Sequence, residues 1–111
     1  ERMLSILKEQ NHVVFLATNK RIIPTEKIIQ HFSWQRYFNA VYALDSFSNL
    51  PSKKELITKV IQRHQLDRTQ TVYIGDTVAD YIASEANDIA YIMDTTLMTL
   101  QIVKVFRSRL L

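Results

Sequence analysis

The sequence predicts an α/β fold with a parallel sheet. Three observations carry this. Short apolar runs alternate with amphipathic helical stretches along the chain. The best of these runs, Val13-Val14-Phe15-Leu16-Ala17, is apolar at every position, which suits a strand covered by helices on both faces. Polar residues stand directly after the runs, at Thr18-Asn19 and Gly75-Asp76, where open α/β sheets present ligand sites.

Each element has its own signal. Met3, Leu4, Ile6 and Leu7 stripe a first helix up to about Gln10. Residues 12–18 form the first strand. Pro24 opens a second helix with Ile28, Ile29 and Phe32 on its apolar side. Residues 38–44 read as a short strand and 45–52 as a polar loop containing Pro51. Ser52 and Glu55 have the Ser-x-x-Glu spacing of a capping box, and Leu56, Val60 and Ile61 stripe the helix that follows. Residues 71–75 form another apolar strand, 78–86 a helix and 89–93 a last strand. Leu100, Val103, Phe106 and Leu110 recur at helical spacing and predict a final helix. The order is αβαβαβαβα, with right-handed crossovers expected.

Composition narrows the function. The chain has 111 residues, enough for one domain with its own core. Hydrophobic residues are 47% and charged residues 23%, ordinary for a globular domain, which argues against disorder. The net charge of +3 is spread along the chain with no nucleic-acid motif behind it, so no nucleic-acid partner is expected; a small phosphate-bearing ligand suits this balance but is not singled out by it. There is no cysteine, which excludes a disulfide framework and a thiol nucleophile and fits a reducing compartment, so a cytoplasmic location is expected. No apolar run reaches membrane-span length, and no membrane partner is expected. His12, His31 and His64 have no mutual metal spacing and read as surface or cap residues. Trp34, Tyr37 and Phe38 read as packing. Glycine occurs once, at Gly75, which singles that position out.

The strand exits carry the chemistry. A hydroxyl at Thr18 can donate to a phosphoryl oxygen. A lysine can neutralise the charge that phosphoryl transfer spreads over the equatorial oxygens. Asp76 at a strand end and Asp80 in the next helical turn can hold a hard cation such as magnesium. Lys53 and Lys54 sit in the first turn of a helix, where each exposed charge opposes the macrodipole by about 0.3–1 kcal/mol. An anion bound at that terminus reverses the preference.

These residues carry a family resemblance. Val14-Phe15-Leu16-Ala17-Thr18-Asn19 resembles the second motif of the haloacid-dehalogenase superfamily, a strand ending in Thr or Ser. Ser52-Lys53-Lys54-Glu55-Leu56-Ile57 resembles its third, a lysine at a helix start. Val72-Tyr73-Ile74-Gly75-Asp76-Thr77-Val78-Ala79-Asp80 resembles its fourth, Gly-Asp-x-x-x-Asp. The spacing from lysine to Gly-Asp selects Lys53 over Lys54, and the set is most similar to the phosphoglycolate-phosphatase-like branch. The resemblance implies a Rossmann-like three-layer sandwich and magnesium-dependent phosphomonoester hydrolysis. It implies Thr18, Asn19 and Lys53 on the phosphorylated substrate, Thr18 and Lys53 assisting catalysis, and Asp76 and Asp80 on the metal.

Two departures follow from the same comparison. The family's first motif, Asp-x-Asp, lies on a strand between those resembling residues 12–18 and 71–75; its first Asp becomes phosphorylated. This sequence contains no Asp-x-Asp. Residues 1–111 are therefore expected to be the C-terminal part of such a core, without a cap domain. The acceptor strand is expected before Glu1, and the polypeptide alone is expected to be inactive. Near residues 89–94 one strand stands where the family has a strand, a glycine loop, a small helix and another strand.

Plainer readings stand beside these. Thr18-Asn19 also fits a polar strand exit, Lys53 a solvated helix residue, and Asp80 the acid of a Thr77-x-x-Asp80 capping box. The alternative function is a non-catalytic phosphate-binding or regulatory domain. A metal-free dehalogenase is disfavoured by the Asp76/Asp80 pair, and a receiver-like domain by the order Thr, Lys, Asp.

Overall fold

The computed structural model describes residues 2–10, 12–47, 50–93 and 105–108. Among the described residues four α-helices and five strands alternate through most of the order: α1 (Arg2–Glu9), β1 (Val13–Thr18), α2 (Ile22–His31), β2 (Ala40–Ala43), α3 (Lys53–His64), β3 (Thr71–Gly75), α4 (Val78–Ala86), β4 (Ala90–Met93) and β5 (Val105–Ser108). The sheet order is β2-β1-β5-β3-β4. β1 pairs in parallel with β2, and β3 with β4, as the sequence predicts.

Alternation along the strands divides the core into two apolar layers. Val14 and Leu16 of β1 join Ile74 of β3 in a cluster with Leu7, Ile29 and Trp34. Phe15 and Ala17 turn the other way and join Tyr73, Leu56, Ile57, Val60 and Ala83. Successive side chains of a strand point to opposite faces, so β1 is buried on both. This is the three-layer α/β arrangement, with α1 and α2 on one face and α3 and α4 on the other. Trp34, Tyr37 and Phe38 are core residues, as expected.

The final helix is not borne out over the residues the structure describes. Val105–Ser108 is a strand, antiparallel to both β1 and β3, with Phe106 opposite Phe15 and Tyr73. The rest of the expected helix lies outside the described residues. The physical reason is backbone pairing. β1 and β3 face each other across the middle of the sheet, and buried N–H and C=O groups there require partners. Val105-Phe106 has strand propensity, and pairing on both edges outweighs the helical spacing of the side chains.

Smaller differences have local causes. α2 starts at Ile22, with Pro24 inside its first turn, where no intrahelical N–H is needed. The Ile22 N–H donates to the Asp45 carboxylate at 2.9 Å, which starts the helix earlier than proline marks it. His12 is buried and His64 bonds the Tyr42 hydroxyl at 2.7 Å, so neither is a plain surface residue; His31 is exposed. The scarcity of glycine also has a structural consequence. Ser33, Gln65 and Asp88 adopt positive φ, and Gln65 forms the left-handed C-cap of α3. Only glycine occupies that region without a Cβ penalty. Gln65→Gly is expected to raise stability by about 0.5–1 kcal/mol, seen as a higher urea midpoint with an unchanged slope.

Candidate functional site

The carboxyl ends of β1 and β3 and the first turns of α3 and α4 meet on one side of the sheet. Thr18 closes β1, Lys53 opens α3, Gly75 closes β3, and Asp76 and Thr77 lead into α4. Lys53 and Asp80 form an ion pair, with Nζ and Oδ1 3.3 Å apart and both side chains almost wholly buried. Lys54 is exposed. The choice of Lys53 by spacing therefore coincides with the lysine that turns inward.

Asp80 is fixed from several directions. Its Oδ2 accepts the backbone N–H groups of Asp76 and Thr77, each at 3.3 Å. Its own N–H donates to Thr77 Oγ1 at 3.1 Å, which completes the Thr77/Asp80 capping box expected from sequence. The other expected box takes a different form. Ser52 stands at the N-cap of α3, but its hydroxyl bonds the Glu55 carboxylate and caps no backbone N–H.

Gly75 answers to the same constraint. Its φ is not positive, so conformational freedom is not its role. A Cβ there would lie 2.6 Å from Asp80 Oδ2 and 2.9 Å from Asp80 Cβ. The single glycine gives the Asp80 carboxylate room to fold back over the strand end.

Two further residues, Asn87 and Tyr73, set the spacing of the site. The Asn87 side chain bonds Thr58 of α3 at 2.6 Å and the carbonyls of Lys54 and Ala83 at 3.1 and 3.0 Å, clamping α3 to α4. Tyr73, fully buried in β3, accepts from Lys53 Nζ at 3.2 Å and donates to the Ala17 carbonyl at 3.4 Å. Tyr73 is not among the site residues that the sequence pattern singles out. Its signal was a phenol inside an otherwise apolar buried strand, since a buried tyrosine hydroxyl requires a partner.

Electrostatics follow from burial. Desolvation lowers the Lys53 pKa from its ordinary value, and the charge and hydrogen bond of Asp80 offset part of that. Desolvation raises the Tyr73 phenol well above its ordinary value, with the Asp80 carboxylate adding to it, so Tyr73 stays protonated.

Thr18 is buried, and its hydroxyl oxygen accepts the Lys20 N–H at 3.2 Å, which leaves its hydrogen to donate. Asn19 is exposed. Asn19, Leu44, Lys53, Lys54, Ile82 and Ala83 border an open cleft of about 570 Å³ beside the cluster. Lys20 and Arg21 lie in an exposed loop, where Arg21 pairs with Asp45.

Magnesium can be tested against this donor set. Among the described residues there is no group of three or more His, Cys, Asp or Glu side chains suited to a metal. Asp80 already holds Lys53 and two backbone N–H groups. Asp76 is half-buried in the turn after β3. Magnesium takes only one or two protein carboxylates alongside phosphate and water, so one carboxylate with a second behind it fits.

A fold of this class with threonine, lysine and Gly-Asp-x-x-x-Asp at its strand exits has a counterpart among known families. The chain belongs to the haloacid dehalogenase-like hydrolase family, whose profile matches residues 1–93. The match ends where β4 ends, so β5 lies beyond it. A 5'-nucleotidase of Pseudomonas aeruginosa is 28% identical over 90 residues, covering 81% of this chain and 41% of that protein. The chain thus spans about two-fifths of the length of this curated relative. No solved structure matches the chain. Among the described residues no helix is long and apolar enough to cross a membrane.

Gly75→Ala is expected to destabilise the protein by about 1–3 kcal/mol, because the added methyl displaces a carboxylate held by three partners. Urea denaturation checks this. An unchanged midpoint would mean that Asp80 can move without cost.

Proposed function

We propose that this chain supplies the phosphate- and magnesium-handling part of a phosphomonoester hydrolase. One observation carries the reading above the rest. A buried lysine at a strand-exit cluster makes two hydrogen bonds, to Asp80 and Tyr73, while an ammonium has three N–H donors. The third is available to a phosphoryl oxygen. Membership of the hydrolase family and the likeness to a 5'-nucleotidase support the same reading.

In this reading Thr18 donates its hydroxyl hydrogen to the phosphoryl group, and Asn19 contacts the substrate at the mouth of the cleft. Lys53 neutralises charge on the equatorial oxygens as the phosphoryl group transfers. Asp76 ligates magnesium, and Asp80 positions it, directly or through water. Magnesium, when bound, neutralises charge between the phosphate and the attacking carboxylate. The attacking group is an aspartate outside these 111 residues, which carries the aspartyl-phosphate. The substrate is a small phosphorylated metabolite, and the name of the relative adds nucleoside monophosphates to that class. The absence of cysteine supports a cytoplasmic location.

A second reading, a phosphate-binding domain without catalysis, is favoured for the 111-residue polypeptide by itself. β5 stands between β1 and β3 and carries Val-Phe-Arg-Ser, with no carboxylate to accept a phosphoryl group. This polypeptide is expected to show no turnover of para-nitrophenyl phosphate with magnesium. Robust turnover by the purified chain would contradict the placement of the acceptor.

The roles of Asp76 and Lys53 separate in a magnesium titration of rate, run on the full-length gene product. Asp76→Asn keeps the shape of the ligand but removes its charge, so half-saturation is expected at tenfold or more higher magnesium, roughly 1.4 kcal/mol of lost binding. Excess magnesium restores part of the rate. Lys53→Ala is expected to lose rate with little recovery, because the missing group contacts the phosphoryl oxygens themselves. Identical magnesium dependence in wild type and Asp76→Asn would remove Asp76 from the metal.

A further inference from the structure

We propose that Tyr73 is a positioning residue for Lys53, whose hydroxyl holds the ammonium aimed at the phosphoryl group. This rests on the phosphatase reading above and extends it to a residue outside the threonine, lysine and aspartate set.

The Lys53 ammonium carries three N–H donors. One N–H goes to Asp80 at 3.3 Å and one to the Tyr73 oxygen at 3.2 Å. An ammonium held by a single partner can rotate about that contact. Two fixed partners in different directions define where the third N–H points. Asp80 is anchored by the start of α4. Tyr73 is anchored by β3, is fully buried, and reaches the Ala17 carbonyl at 3.4 Å.

That last contact gives the hydroxyl its particular place. Ala17 immediately precedes Thr18, and β5 separates β1 from β3 in the sheet. The Tyr73 side chain therefore spans the central strand position from β3 to β1 and meets Lys53 at the far side. Its oxygen links the strand that ends in Thr18, the strand that leads to Asp76, and the helix that begins with Lys53. A phenylalanine would fill the same volume but make none of these links. The phenol body also flanks the ammonium, with the ring centroid 5.8 Å from Nζ.

Positioning has a different signature from charge. Removing the hydroxyl leaves the Lys53 charge in the site, so attraction for a ground-state phosphate changes little. The transition state depends on where the charge sits, so its stabilisation is lost. Two anions distinguish the cases: inorganic phosphate resembles the ground state, and orthovanadate in five-coordinate geometry resembles the transition state.

The experiment uses the full-length gene product with Tyr73→Phe, measuring kcat, KM and the inhibition constants of phosphate and orthovanadate. The expected result is a tenfold or larger loss in kcat, a KM and phosphate inhibition constant within about threefold of wild type, and orthovanadate binding weakened about tenfold. Tyr73→Met, which fills the volume adaptably, is expected to give the same pattern and serves if Tyr73→Phe does not fold. Tyr91→Phe is the control, because the Tyr91 hydroxyl bonds the Thr77 carbonyl instead, and it is expected to leave the orthovanadate-to-phosphate ratio unchanged. An unchanged ratio in both Tyr73 variants would overturn the proposal. A wild-type protein that binds neither anion would overturn the phosphatase reading itself, a separate outcome.

Discussion

The buried ion pair between Lys53 and Asp80 is the constraint on which the site depends. Removing a charge from water costs several kcal/mol, and an ion pair offsets this only when both partners are well placed and their remaining hydrogen-bonding groups are satisfied. The surroundings supply that placement. Asp80 accepts two backbone N–H groups and closes a capping box, and Asn87 clamps α3 to α4. Gly75 leaves the space that the Asp80 carboxylate occupies. A lysine in the first turn of a helix is unfavourable against the macrodipole, and here the carboxylate of a neighbouring helix reverses that sign.

The proposed function draws on the same arrangement. An ion pair that consumed every donor of Lys53 would be structural. This one engages one N–H with Asp80 and a second with Tyr73, at the end of the sheet where Thr18 and Asp76 emerge. Family membership over residues 1–93 covers all of these residues. The cluster thus combines a cation held against desolvation, a hydroxyl hydrogen at a strand exit, and a second carboxylate one turn from the first. These are the groups that phosphoryl transfer requires around its oxygens.

Much of this was legible in the sequence, for identifiable reasons. Strands β1 and β3 were readable because burial on both faces demands uninterrupted apolar runs. The Thr77-x-x-Asp80 spacing announced a capping box, and that box places Asp80 where Lys53 can reach it. Gly75 stood out by its rarity, although its use as space for a carboxylate depends on how Asp80 folds back over the strand end. Tyr73 and Asn87 were missed because their roles lie in contacts across 56 and 33 residues of chain, which no local period records. β5 was misread for a related reason. Its side chains repeat at helical spacing, yet the backbone demand of two facing strands decides its conformation, and that demand is visible only once the sheet is assembled.

The central claim is that the Lys53–Asp80 pair is coupled and holds the site together. A double-mutant cycle on urea unfolding with Lys53→Met and Asp80→Asn measures it most directly. Each single change strands a buried partner and is expected to cost about 3–5 kcal/mol. The double change removes both, so its cost is expected to fall short of the sum by more than about 1 kcal/mol. Costs that add to within about 0.5 kcal/mol would contradict the account, because the two side chains would then be buried independently of each other.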